Sequence, residues 1–89
     1  MALGNEILVG KKPLMSYVTA VIFQFNTGSD EVIIKAKGNL ISRAVDVAEV
    51  VKKRYMDEVK LTGFKVDSEV VRNREGQTRI STMELVLKK

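Results

Sequence analysis

Apolar positions along this chain keep two periods, and the switch between them marks its elements. Glu6-Ile7-Leu8-Val9 is a short apolar run closed by Gly10, the pattern of a strand. From Leu14 the apolar residues recur at Tyr17, Val18, Val21, Ile22 and Phe25, which is one face of a helix. Pro13 suits the first position of that helix, where its missing N–H costs nothing. Ala20 and Phe23 widen the stripe, so burial on more than one side is expected. Asn26-Thr27-Gly28 stops the helix, with Gly28 as a left-handed cap. Glu31-Val32-Ile33-Ile34-Lys35-Ala36 is β-branched and short, a second strand expected to be buried on both faces. Lys37-Gly38-Asn39 turns the chain, and Asn39 is placed to cap the helix that follows. Ile41, Ala44, Val45, Ala48 and Val51 mark that helix to about Arg54, with Ser42, Arg43, Asp46, Glu49, Lys52 and Lys53 outward.

After Asp57 the period becomes two. Val59 and Leu61 share one phase while Phe64 and Val66 share the other, so a bulge is expected near Gly63. The strand runs on to about Arg72, and Asn73 to Thr78 is a polar turn in which Gly76 is free to take positive φ. Arg79 to Lys88 returns as a strand with Ser81, Met83, Leu85 and Leu87 on one face. The order β-α-β-α-β-β predicts an α+β fold. Its mixed sheet has four strands, two helices packed on it and a long terminal β-hairpin. No internal repeat, linker or low-complexity tract interrupts the chain, so residues 1–89 read as a single domain.

Length and composition then narrow the function. A domain of 89 residues buries a marginal core on its own. With no Cys and no His, disulfide and zinc staples are missing, which favours oligomerisation as support. The same absence removes thiol nucleophiles, thiolate zinc sites, imidazole bases and the usual triads. Acidic residues give no catalytic constellation: Asp30-Glu31 and Asp57-Glu58 are adjacent in sequence, and Asp46 and Glu49 share a solvated helix face. No enzyme, cofactor or metal site is expected. Without a long apolar run or a secretory leader, a soluble intracellular domain is expected. The net charge of +4 is not segregated. Residues 1–44 hold 5 basic and 3 acidic groups and residues 45–89 hold 10 and 8, so folding must assemble any basic surface.

Three places attract attention. Gly10-Lys11-Lys12-Pro13 joins a strand to a helix N-terminus, where backbone N–H groups and two ammonium groups favour an anion. A nucleotide P-loop is excluded, because five residues separate Gly4 from Gly10 and Lys12, not Ser or Thr, follows Lys11. A solvated basic turn fits the spacing equally well. Lys35-Ala36-Lys37-Gly38-Asn39 with Arg43 is a second such junction. If the first two strands are parallel, both junctions lie at the same edge and their lysines converge; separate surface lysines are the alternative. The third place is the hairpin tip, where Arg72, Arg74 and Arg79 suit phosphate contact or a narrow minor groove. Charged edge strands that resist aggregation explain the same arginines. Tyr17 and Tyr55 either stack on a base or pack, and Tyr17 lies within the apolar stripe.

Gly10-Lys11-Lys12-Pro13-Leu14-Met15-Ser16-Tyr17-Val18 strongly resembles the archaeal chromatin family Alba. The match continues in Val32-Ile33-Ile34-Lys35-Ala36-Lys37-Gly38, in Ile41 to Asp46, in Arg54-Tyr55 and in Ser81-Thr82-Met83-Glu84-Leu85. The resemblance implies the fold shared with the C-terminal domain of bacterial translation initiation factor three. It also implies a homodimer that coats and compacts double-stranded DNA, binds RNA, and has little sequence preference. A chromosome-associated, cytoplasmic place follows, with further assembly of dimers on DNA. By position, Lys11 and Lys12 match the central nucleic-acid-binding lysines, and Lys11 the one whose acetylation weakens binding. Lys37 matches a basic position, while Asn39 stands where many members have a second basic residue, leaving it to hydrogen-bond phosphate without attracting it. Asn5 and Tyr17 align near the bound backbone, and the hairpin from Arg72 to Arg79 with the arms that follow the groove. Tyr55 aligns with an aromatic at the contact between dimers. The alternative function is RNA binding, as a chaperone or a ribonucleoprotein subunit like the Alba-like subunits of ribonuclease P. A protein-interaction scaffold working through its apolar helix face is the third.

Overall fold

Val32, Ile34 and Ala36 on one strand face Leu87, Leu85 and Met83 on its neighbour, and these six side chains floor the core. The computed structural model describes residues 5–89, so Gly4 lies outside the described residues. The elements are β1 (Glu6–Leu8), α1 (Leu14–Asn26), β2 (Glu31–Lys37), α2 (Ile41–Val50), β3 (Lys60–Asn73) and β4 (Gly76–Lys88). The sheet runs β1-β2-β4-β3, with β1 and β2 parallel and the other two pairings antiparallel. It is the mixed α+β arrangement that the periodicity predicts.

Each helix contributes one apolar face. Tyr17, Val18, Val21 and Phe25 of α1 are buried, and Ala44, Val47 and Ala48 of α2 close over them. Phe23 stays 60% exposed, so α1 is buried on one side, contrary to the widened stripe. Val45 is also exposed, and Val47 takes the buried place expected of it. Pro13 caps α1 from outside, with ψ of 144°, instead of forming its first turn. Ahead of α2, Gly38–Leu40 winds into a 3-10 turn, so Asn39 makes no side-chain cap and Ile41 opens the helix. Beyond Val50 the helix widens into a π turn over Val51–Tyr55, where the Met56 N–H reaches the Val51 carbonyl at 2.8 Å.

The strand β2 is buried only on the helix side. Glu31, Ile33 and Lys35 are half-exposed on a sheet face that no helix covers. There Lys35 sits between Glu6 at 3.1 Å and Glu84 at 3.9 Å. The bulge falls where the phase change puts it, between Leu61, opposite Leu87, and Gly63, opposite Val86. The hairpin turn is tighter than the polar run suggests. Asn73 pairs with Gly76, leaving Arg74 and Glu75 as the loop. The Asn73 Oδ1 accepts the Glu75 N–H at 2.9 Å, and Gly76, at φ 125°, completes the reversal.

The hairpin outruns the sheet. The last β2 partner of β4 is Lys37 opposite Thr82, so from Ser68 and Ser81 outward β3 and β4 pair only with each other. Six residues per strand at about 3.3 Å each project an arm of about 20 Å. The arm stretches the molecule to 45 × 25 × 21 Å.

Core and arm therefore tolerate change very differently. Ile34→Ala, at a fully buried position, should cost about 2–5 kcal/mol. Thr78→Ala, exposed on the arm, should stay within about 0.5 kcal/mol of wild type. Urea unfolding of the two variants checks both values.

Candidate nucleic-acid interface

Because β1 and β2 are parallel, the segments that leave them exit at one edge of the sheet. The Gly10–Pro13 loop and the Gly38–Leu40 turn lie side by side there. Leu8, Val9, Gly10 and Lys11 from the first and Lys37 and Leu40 from the second line a cleft of about 390 Å³. Its floor is aliphatic and a lysine stands on each side, so the structure brings Lys11 and Lys37 together. Lys11 and Lys12 are exposed, and neither forms an ion pair among the described residues. Asn39 is exposed on the neighbouring turn, and Asn5 is half-buried ahead of β1.

Two side chains hold the lysine loop in shape. The Tyr17 hydroxyl accepts the Lys12 backbone N–H at 3.0 Å, while its ring packs in the core. A Cβ at Gly10 would sit 3.1 Å from that hydroxyl, so a larger residue there would press on the oxygen that holds the Lys12 N–H. From α2, the Arg43 Nη2 donates to the Lys12 carbonyl, so both backbone groups of Lys12 are engaged. The Arg43 Nε is buried without a partner. Arg43 is thus turned toward the loop, a supporting role that the sequence does not reveal.

The arm presents its arginines differently. Residues opposite each other across the hairpin share a face, so Arg79, opposite Val70, and Arg72, opposite Gln77, lie on the helix side. Arg79 donates to the Ser68 Oγ at 3.2 Å, and Arg74 occupies the tip. Tyr55 is exposed at the end of the π turn, well separated in sequence from both junctions, beside Lys53, Arg54 and Asp57. A set of exposed apolar side chains lies on β3. Phe64 is 65% and Val66 62% exposed, on the same face as the buried Met83 and Leu85. With Val45, Ala48 and Leu61, Phe64 borders a groove of about 260 Å³ between α2 and the edge strand.

Residues 5–68 match the Alba family. This chain belongs to that family. It is 47% identical over 85 residues to the DNA/RNA-binding protein Alba 1 of Archaeoglobus fulgidus, covering 96% of each chain. It is 46% identical over 89 residues to the DNA/RNA-binding protein Alba of Methanothrix thermoacetophila, covering the whole of both. Among solved structures, Alba from Thermoplasma volcanium superposes with a TM-score of 0.91 at 41% identity, over 96% of this chain and 100% of that one. ALBA1 from Trypanosoma brucei shares the fold, with a TM-score of 0.81 at 24% identity over 96% of this chain and 68% of that one. The Alba relatives are named as DNA/RNA-binding proteins and not as enzymes. Among the described residues no His, Cys, Asp or Glu cluster could hold a metal. No described helix is long and apolar enough to cross a membrane.

The two clasps on Lys12 can be tested without any ligand. Tyr17→Phe should speed hydrogen exchange at the Lys12 amide and lower stability by about 0.5–1.5 kcal/mol. Amide exchange read by NMR, with urea unfolding beside it, checks both.

Proposed function

We propose that this Alba-family chain is a non-enzymatic, sequence-indifferent nucleic-acid-binding protein whose residues 1–89 work as one domain. It coats and compacts double-stranded DNA as a homodimer and also binds RNA. The observation that carries this is the shared cleft: two strand-to-helix turns meet at one edge, with Lys11 and Lys12 unpaired among the described residues, beside a protruding arginine arm. Flexible ammonium groups on a loop track phosphates and carry no base pattern. The outer face of α2 and the π turn after it mixes Asp46 and Glu49 with Lys52 and Lys53, which is unsuited to reading a major groove. Asn5, Tyr17, Lys37 and Asn39 flank the phosphate path, Arg43 supports the lysine loop, and Arg72, Arg74 and Arg79 extend the contact along the groove.

The homodimer reading rests on the helix-side face of β3, which extends beyond the cover of α2. Phe64, Val66, Leu61 and Val45 form a contiguous apolar surface where an isolated chain would leave large side chains in water. A two-fold pairing there doubles the lysine cleft and sets two arms on one ligand. Tyr55, exposed at the end of the π turn, is available for contact between neighbouring dimers on DNA. Acetylation of Lys11 would remove one of the two unpaired charges and weaken binding without abolishing it. The protein would reside on the chromosome in the cytoplasm. RNA is the second reading, favoured by the names of the relatives, which pair it with DNA.

Titration of random and defined duplexes across a salt series, with structured RNA as competitor, tests the proposal. Both duplexes should bind alike. At roughly 6–10 phosphate contacts per dimer, affinity should fall about 10³–10⁵-fold between 50 and 200 mM salt. Replacing Lys11 and Lys12 together by Ala should weaken every duplex by a similar factor. Sharp preference for one short sequence with a shallow salt slope would refute the coating reading, and RNA displacing duplex at equal concentration would favour the second. Phe64→Asp should convert a dimer at micromolar concentration to monomer by sedimentation.

A further inference from the structure

Of Lys11, Lys12 and Lys37, only Lys37 forms an ion pair among the described residues. Its Nζ lies 2.8 Å from the Oε1 of Glu69, 32 residues away in sequence. Register explains the meeting. Lys37 is the last β2 residue opposite β4, facing Thr82, and Glu69 lies opposite Ile80, one step out on the arm and on the same uncovered face. Glu69 thus stands where the arm leaves the sheet, and its carboxylate reaches back to the wall of the cleft. Lys37 and Glu69 also line one shallow hollow with Leu8 and Thr82, open to solvent on that face.

We propose that Glu69 is an internal competitor for phosphate at Lys37, and so sets the affinity of the interface. The inference rests on the phosphate-binding reading of the cleft. A carboxylate oxygen at 2.8 Å holds the ammonium as a phosphate oxygen would, at the distance of a charge-assisted hydrogen bond. Lysine has three donors, so a phosphate can touch Nζ while Glu69 remains. It then lies a few ångströms from a second anion, and that repulsion offsets the attraction. The pair is also weak enough to yield. Lys37 is 55% and Glu69 46% exposed, and ion pairs so exposed add little net stability. Full engagement of phosphate at Lys37 therefore exchanges one anion for another. Lys35, with Glu6 at 3.1 Å and Glu84 at 3.9 Å, has two such carboxylates beside it. Lys11 and Lys12 engage phosphate without such an exchange.

A double-mutant cycle on a random duplex at fixed salt tests this. Glu69→Gln keeps the shape and removes the charge, and should tighten binding by roughly 2- to 5-fold per protomer. In a Lys37→Ala background the same substitution should give no gain. An unchanged Glu69→Gln, or a gain of equal size without Lys37, would overturn the proposal, the second by showing mere loss of negative charge. Wild-type protein that binds neither duplex nor structured RNA at low salt would overturn the phosphate-binding reading as well. Wild-type binding with no Lys37-dependent gain overturns this inference alone.

Discussion

Parallel pairing between β1 and β2 is the constraint on which the rest of the structure depends. Two parallel neighbours cannot be joined by a tight turn, so the chain must cross back over the sheet, and α1 is that crossover. Once it exists, both strands end at the same edge and both following turns are forced together. The cleft between Lys11 and Lys37 is a product of topology before it is a product of side chains. Val9 extends the pairing by donating its N–H to the Lys35 carbonyl at 2.9 Å, which fixes the height at which Gly10 begins the loop.

The same edge is stiffened from below. A loop carrying two like charges would spread in water, but the Lys12 backbone is tied at its N–H by Tyr17 and at its carbonyl by Arg43. Tyr17 couples this loop to the core, since its ring packs beside Val18 and Val21 while only its oxygen reaches outward. On the other turn, a Cβ at Gly38, where φ is 57°, would lie 3.6 Å from Ile80 Cγ2, so the turn rests against the root of the arm. Rigid support beneath mobile ammonium groups lowers the ordering cost when an anion arrives.

The sequence made the architecture readable because the apolar spacing changes period sharply and glycines fall at the changes. Val32-Ile33-Ile34 and Leu14 to Phe25 announce their elements without help. What the spacing could not say is what covers an apolar side chain. Phe23 and Val45 satisfy a helical pattern, yet both are exposed, because α1 and α2 each meet the sheet along a narrow stripe. Asn39 has the chemistry of a cap, but Gly38–Leu40 takes up a 3-10 turn first. At the cleft, Lys11 and Lys37 could be expected to converge from strand order alone. The turning of Arg43 onto Lys12 could not, because its direction depends on how α2 is rotated over the sheet. The Lys37–Glu69 pair was hidden for a similar reason, since it requires the β2-β4-β3 order and the register of the hairpin together.

The extra residue at the bulge has a wider effect than its local kink. A strand alternates its faces strictly, so Leu61 and Phe64, an odd number of residues apart, would point to opposite sides of an unbroken strand. The irregularity between Leu61 and Gly63 resets that count and brings both onto the helix side. It works as a phase selector between Lys60 and Leu61 at the start of β3 and everything beyond Gly63. With Leu61 held opposite Leu87, an unbroken strand would turn Phe64, Val66 and, further out, Arg72 to the opposite side of the sheet. A single extra residue near the start of one strand thereby decides on which side both the apolar edge and Arg72 of the arm are displayed.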